Sequence, residues 1–305
     1  MRTGVLFVGE LRDRGFNASA LQGAEALARE GVALEILSGI PYDRARMRAA
    51  IDAALPRLDA LVFVGGQGDA ILPDAARDHP GKRFVALQGA VSGANLGSYD
   101  VLQEQSAFLA GCLAARLTRS GTVAHLSGHR VKPGLKGRAA FAAGVAHIDP
   151  GLRLLTGFCG TQDDNAVTRA WAGAQIAAGA DILFTMLNGA RSGAVEACRA
   201  GAARQIGNAL DWVAMEPDVF VASAEARIDL GLRAAIADLE AGDLPAAPRA
   251  FGLAEGAVGL RLRNDVPAAI RAEIAAIARL VESGEIAIPE EYDGPEFHPE
   301  ESHAA

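Results

Sequence analysis

Between positions 13 and 17 the chain gathers a carboxylate (Asp13), an aromatic ring (Phe16) and a primary amide (Asn17). A carboxylate accepts hydrogen bonds, an amide both donates and accepts, and a ring offers an apolar face. Together they can orient a small polar molecule that carries a ring. The same loop has no nucleophile, no metal-ligand cluster and no phosphate-cradling glycine pattern. It is suited to gripping a ligand rather than transforming one.

Other residues that could do chemistry are weaker signals. His125, His129 and His147 fit neither the spacing of a two-histidine zinc face on a helix nor that of a finger, and His125 alternates inward on a strand. Asp163 and Asp164 precede a helix and suit its positive end. Ser127-Gly128 and Ser192-Gly193 lack the nucleophile-elbow pattern. Gly65-Gly66-Gln67-Gly68 falls short of a dinucleotide fingerprint and follows the third strand rather than the first. No cofactor or metal is expected. Gln67 can reach a ligand from its loop or stand in solvent as a turn residue. Asn188, after a strand ending near Leu187, can read an amide or amino edge or serve as a turn residue beside Gly189.

These residues need elements to position them. A short apolar run from about residue 3 to Val8 predicts a buried parallel strand, and 18–28 a helix. Strands are expected at 34–37, 60–66, 83–87 and 94–99, with helices at 43–55 and 68–76. A helix over 102–119, stopped by Ser120-Gly121, is expected to close the first lobe. The rhythm then restarts, with strands at 122–126, 153–158, 181–186 and 205–208 and helices at 135–146, 165–178 and 191–199. Strand 219–222, helix 227–241, segment 249–262 and helix 267–282 complete the series. Two runs of alternating strands and helices predict an α/β protein of two doubly wound lobes. The expected division is 1–120 plus 224–249 for the first lobe and 121–223 plus 250–288 for the second. The acidic tail 289–305, with three prolines, is expected to be an extended wrap or a frayed end.

Composition agrees with this class. Of 305 residues half are hydrophobic and only 5% aromatic, with 35 glycines, which suits close helix–sheet layers and argues against disorder. A net charge of −8 without a basic run argues against nucleic acid as a partner. No apolar segment reaches the roughly 20 residues that span a bilayer, and Met1-Arg2-Thr3-Gly4 leads straight into the first strand without a secretory signal. Either an export signal has been removed or the chain is cytoplasmic. Cys112, Cys159 and Cys198 have no metal spacing and cannot all pair, so buried thiols are expected.

Ordered fragments along the chain resemble the BMP (basic membrane protein) family, the PnrA-like purine nucleoside solute-binding proteins of ABC transporters. Asp13, Phe16-Asn17 and Gly23 resemble its first-strand signature, and Gly66-Gln67-Gly68-Asp69-Ala70 its turn after the third strand. Gln105-Ser106-Ala107-Phe108-Leu109-Ala110-Gly111, Lys136 to Gly144, Ala178-Gly179-Ala180-Asp181 and Phe251 to Leu260 come next in the family's order. The resemblance runs from Val5 to about Ile288. It implies two Rossmann-like lobes with parallel sheets joined by three crossover strands, a type I periplasmic-binding-protein architecture with the ligand in an interlobe cleft.

The resemblance also directs attention to particular residues. Asp13 and Asn17 stand where the family places polar groups, though Asp13 also reads as a solvated loop carboxylate and Asn17 as a helix N-cap. Phe16 can touch ligand or pack beneath the loop. Gln105, in the first turn of the long helix, matches a glutamine of some purine-binding relatives, and an exposed first-turn residue is the alternative. Asp211 matches the second acidic position of the family's Gly-x-Asp-x-Asp run, where it could equally cap a helix, and Ala209 replaces the first. Trp212 can supply a stacking ring or pack in its loop. The chain departs from the family at Leu11, where an aromatic is usual, at Arg130 in place of an acidic residue, and at Ala226 in place of a lysine. The Arg130–Lys132 segment favours an anionic or carbonyl-rich ligand, or simply faces solvent.

The residues and the resemblance together predict a monomeric, non-enzymatic solute-binding protein of an ABC importer. It would take a purine base, nucleoside or related small polar heterocycle, partner a permease, and be periplasmic or membrane-anchored outside the cytoplasm. A cytosolic small-molecule sensor on the same fold is the alternative, and a Rossmann-like enzyme a further one. Removing the Asp13 carboxylate is expected to weaken ligand binding without affecting folding.

Overall fold

The computed structural model describes residues 1–299 and divides them into two compact units. The first comprises Met1–Val101 and Arg227–Phe251, the second Leu102–Ala226 and the chain from Gly252 onward. The chain therefore passes between units at 101/102, 226/227 and 251/252.

In chain order the first unit contains β1 (Thr3–Val8), α1 (Phe16–Arg29), β2 (Leu34–Ile40), α2 (Arg44–Ala54), β3 (Ala60–Val64), α3 (Leu72–Asp78), β4 (Arg83–Leu87) and β5 (Leu96–Val101). The second continues with α4 (Gln103–Leu117), β6 (Thr122–Ser127), α5 (Lys132–Ile148), β7 (Arg153–Phe158), α6 (Asn165–Ala177), β8 (Ile182–Met186), α7 (Arg191–Gly201), β9 (Arg204–Ala209), α8 (Trp212–Met215) and β10 (Phe220–Ala226). The chain returns to the first unit for α9 (Ile228–Ala241) and β11 (Arg249–Phe251), then closes the second with β12 (Val258–Leu262) and α10 (Ala268–Glu282).

Each unit is built on a six-stranded sheet. The first runs β11-β5-β4-β3-β1-β2 and is parallel throughout. The second runs β12-β10-β9-β8-β6-β7, parallel except where β12 lies antiparallel on β10. Helices cover both faces, which is why β1, β3, β6 and β8 are buried along their whole length and why β3, with most of β1, reads as a continuous apolar run rather than an alternating one. In both sheets the first strand of the unit lies between the second and the third (β2-β1-β3, β7-β6-β8). The winding direction reverses beside β1 and beside β6, and the carboxyl ends of the strands at such a reversal are where open α/β sheets take ligands.

The expectation that the helix at 102–119 closes the first lobe is overturned. α4 belongs to the second unit and packs against α5, β10 and α10, where its Phe108, Leu109 and Leu113 share one core cluster with Phe141 and Phe184. Nothing in its own pattern distinguishes the two destinations, since it is apolar nearly all round. Two glycines set its distance from α5: a Cβ at Gly111 would strike the Phe141 carbonyl oxygen, and one at Gly144 that of Phe108. The segment expected at 249–262 divides, β11 joining the first sheet and β12 the second. The short α8 was foreshadowed only by the helix-cap alternative for Asp211.

The tail runs along the second unit up to the last described residue. The Phe297 N–H donates to the Thr156 carbonyl at 2.7 Å, along the open edge of β7, and the Phe297 ring packs on the cluster containing Leu155 and Ala172. Residues 300–305 of the tail lie outside the described residues.

Candidate functional site

At the carboxyl end of β1 the chain leaves the sheet through Gly9, whose φ of +77° favours glycine. Asp13 then turns inward and is only 1% exposed. Its carboxylate accepts from the backbone N–H groups of Gly15 (2.9 Å), Asn17 (3.0 Å) and Ala18 (3.0 Å). These are the open amides of the α1 N-terminus, which a carboxylate satisfies both as acceptor and as counter-charge. Asn17 is likewise buried, and its side-chain amide donates to the carbonyls of Val8 (2.8 Å) and Glu10 (3.0 Å). Both side chains thus build the loop. The idea that Asp13 could be removed without consequence for folding does not survive this geometry.

Two neighbours remain uncommitted. Phe16 is half-buried and has no aromatic partner among the described residues. Gln67 lies in the 3₁₀ turn Gly66–Ala70 after β3, half-buried, and its side chain makes no hydrogen bond among the described residues. It folds back over Gly65 so closely that a Cβ there would sit 2.5 Å from its Oε1. Gly65 is also at φ +119°, so the backbone there favours glycine. Asp69 of the same turn accepts from the Ala90 N–H at 2.9 Å and ties the β3 loop to the β4 loop. Asp13, Phe16, Asn17 and Gln67 therefore stand in the segments that follow the carboxyl ends of adjacent β1 and β3.

In the second unit the corresponding strands are β6 and β8. β6 ends in a buried chain of hydrogen bonds: Ser127 Oγ to His125 Nε2, and His125 Nδ1 to Thr156 Oγ1, each 2.9 Å. Burial, aided by the Arg138 cation, pushes the imidazole down to about 3 and keeps it neutral. It is a packing group, against the rings of Phe141, Phe158 and Phe184. After β8, the Asn188 backbone N–H donates to Gln162 Oε1 at 3.2 Å, while its half-buried side-chain amide has no hydrogen bond among the described residues.

Asp211 comes directly after β9 and caps α8, accepting from the Ala214 N–H at 3.1 Å and pairing with Arg261 at 3.1 Å. Trp212 is 1% exposed. Its indole N–H donates to the Asn208 carbonyl (3.1 Å), and its ring lies 4.4 Å from the Arg191 guanidinium and 5.2 Å from Phe220. Gln105 stands apart from these strand ends: its Oε1 accepts from the Leu253 N–H at 2.7 Å and so holds the start of the β11–β12 connection onto α4.

Sequence reasoning overlooked Arg191 and Asn208. Arg191 is buried on the first residue of α7 and donates to the Thr185 carbonyl (3.0 Å), the Leu187 carbonyl and Asn208 Oδ1 (2.5 Å). Because its oxygen is committed, Asn208 keeps its amide N–H groups for another acceptor at the end of β9. A signal was available. A cation at a helix N-terminus opposes the helix dipole and needs another reason to be there.

Among the described residues no helix is long and apolar enough to cross a membrane, and no group of three or more His, Cys, Asp or Glu side chains could hold a metal ion. The family model for PnrA-like ABC transporter substrate-binding proteins (Bmp) matches residues 1–291. The chain belongs to this family. A relative within reach by sequence is the ABC transporter nucleoside-binding protein BmpA of Lactococcus lactis subsp. cremoris (strain MG1363), 22% identical over 198 residues. The match covers 62% of this chain and 56% of that protein, so this PnrA-like chain spans little more than half of it. Among crystal structures, an ABC transporter system solute-binding protein from Aeropyrum pernix K1 is similar with a TM-score of 0.84 at 20% identity, covering 96% of this chain and 95% of that one. A transcriptional activator of the comK gene from Bacillus halodurans is similar with a TM-score of 0.75 at 17% identity, covering 95% and 100%. These likenesses establish the two-unit fold of type I periplasmic-binding proteins, as expected. The family is one of ABC transporter substrate-binding proteins.

Proposed function

We propose that this PnrA-like protein captures a nucleoside, a purine base or a closely related small polar heterocycle and presents it to an ABC permease. The observation that carries this reading is the kind of group left uncommitted at the ligand-facing strand ends. In the first unit these are the Phe16 ring and the Gln67 amide; in the second, the Asn188 amide and the Asn208 N–H groups. Amides supply donors and acceptors together, as the edge of an uncharged heterocycle requires, and a ring can cover its face. Asp13 and Asn17 act one step back by holding the loop that presents Phe16. The nucleoside-binding relative supports the same class. The protein works as a monomer outside the cytoplasm, in the periplasm or tethered to the membrane, and its role is capture without chemical change.

A thermal-shift screen of bases, nucleosides, sugars and amino acids tests the reading, because a ligand that binds only the folded state raises the melting temperature by mass action. The expected response is confined to bases and nucleosides and weakened by Gln67→Ala and Asn208→Ala. A response to sugars or amino acids alone would overturn it, as would chemical conversion of the bound nucleoside.

A further inference from the structure

The tail after α10 makes a set of contacts that the capture of a heterocycle leaves unexplained. Its Glu296 carboxylate is divided between two guanidinium groups, one oxygen to Arg130 and the other to Arg138. Arg130 lies in the loop after β6, and Arg138 on the second turn of α5, so both belong to the carboxyl end of the second sheet. Arg138 is only 7% exposed. Its guanidinium lies 5.0 Å from the ring of Phe158, the last residue of β7, and 5.0 Å from the ring of the tail's Tyr292; that of Arg130 lies 4.8 Å from Phe158. The buried Arg138 Nε has no hydrogen-bond partner among the described residues. Burial alone would raise the Glu296 carboxyl, but its hydrogen bonds from Arg130 and Arg138 outweigh that and hold it below its usual range.

Two arginines converging on one carboxylate over an aromatic floor is a receptor's geometry: planar, charge-assisted and directional. All of it except the carboxylate and the Tyr292 cover is furnished by β6, β7 and α5. The occupant, by contrast, is held mainly by side-chain contacts. Among the described residues a backbone hydrogen bond from Phe297 to Thr156 joins it to the sheet. Pro289, Pro295 and Pro299 have no N–H to add to it. Side-chain contacts add to it, among them Glu290 to Lys136 at 3.1 Å, the edge contact of His298 with Trp171, and the half-buried Phe297.

We infer that Arg130, Arg138 and Phe158 form a carboxylate-binding site, that Glu296 fills it as a tethered ligand, and that small free carboxylates compete with the tail for it. A tethered occupant acts at an effective concentration in the millimolar range. A free carboxylate therefore has to exceed about 10 mM before it displaces the tail, and a chain without the Glu296 carboxylate responds at far lower concentration.

Disodium glutarate, which carries the end group of a glutamate side chain, is the probe, with sodium chloride at matched ionic strength as control. Calorimetry on full-length Glu296→Ala is expected to give a dissociation constant at least tenfold below that of the unaltered protein. Adding the exposed Arg130→Ala should reverse most of that gain. Equal affinity in the unaltered protein and Glu296→Ala would overturn the inference, and so would an equal gain with sodium sulfate, which would make the site indifferent to carboxylate. If Glu296→Ala fails to fold, hydrogen exchange on the unaltered protein decides. Glutarate must accelerate exchange of amides in 290–298, and unchanged protection there at saturating glutarate refutes displacement.

Discussion

Replacing Gly144 by alanine tests whether the closeness of α4 and α5 is what the second unit rests on. In an open helix, alanine stabilises by about 1 kcal/mol relative to glycine. Here the new Cβ would overlap the Phe108 carbonyl oxygen and come within 3.0 Å of both the Cys112 nitrogen and the Phe108 carbonyl carbon. The obstructing atoms are backbone, so no rotamer change relieves them. The helices must part by about 1 Å to regain the roughly 3.5 Å of ordinary carbon contact, loosening Phe108, Leu113 and Phe141 in the shared core. Overpacking of this kind costs about 1–3 kcal/mol. A clash with backbone atoms puts this site at the upper end of that range, so after the helix-propensity gain the net loss is about 2 kcal/mol, or roughly 4–8 °C in melting temperature for a unit of this size. Gly173 in α6 is the internal control, because a Cβ there meets nothing within 4 Å. Gly173→Ala should gain up to about 1 kcal/mol. Urea unfolding followed by circular dichroism measures both. A Gly144→Ala protein as stable as the unaltered one would refute the claim that glycine sets the helix separation.

Asp13→Ala leaves three α1 amides without their acceptor in a buried loop and should lower stability by about 1–3 kcal/mol; an unchanged urea midpoint would return Asp13 to the solvated-loop reading. Iodoacetamide at pH 8 should label Cys159 well before Cys112 and Cys198, since burial pushes the latter two up to about 12 and Cys159 is less enclosed; equal labelling by peptide mass spectrometry contradicts this. His125, neutral in the folded state down to about pH 3, takes a proton on unfolding below its ordinary value of 6.5. The unfolded state then binds more protons, so stability falls as pH drops from about 6.5 toward 3, by at most about 1.4 kcal/mol per pH unit. His125→Gln should flatten that fall, and an unaltered slope between pH 6.5 and 4 would show that another group causes it.

Much of the fold was legible because buried parallel strands write themselves as unbroken apolar runs: Val5 to Val8, Ala60 to Val64 and Ile182 to Phe184 announce their positions. Which unit a helix joins is a long-range matter. α4 could not be placed from its own residues, since Gly111 has meaning only once Phe141 lies opposite. The loop residues were harder still. Asp13 and Asn17 carried two readings each, and both are consumed by backbone partners next to them in sequence, Asn17 through its own amide rather than as an N-cap. Trp212 looked like an available ring but is enclosed by Phe220 and Arg191. Asn208 was hidden as the end of a strand, and what frees its N–H groups is an arginine seventeen positions away that takes its oxygen.

Because α9 and β11 come from residues 227–251, the first sheet lacks its outer strand and a covering helix until most of the chain has left the ribosome. β11 pairs with β5 across a sequence separation that joins Arg249 to Tyr99, and Tyr99 reaches back to Asp238 at 2.7 Å. The second unit, largely continuous from α4 to β10, can organise while the first still exposes the open edge of β5. Long loops close slowly, so completion of the amino-terminal half comes late in biogenesis, ahead only of β12 and α10. A nascent chain stalled before residue 227 should present that edge to chaperones.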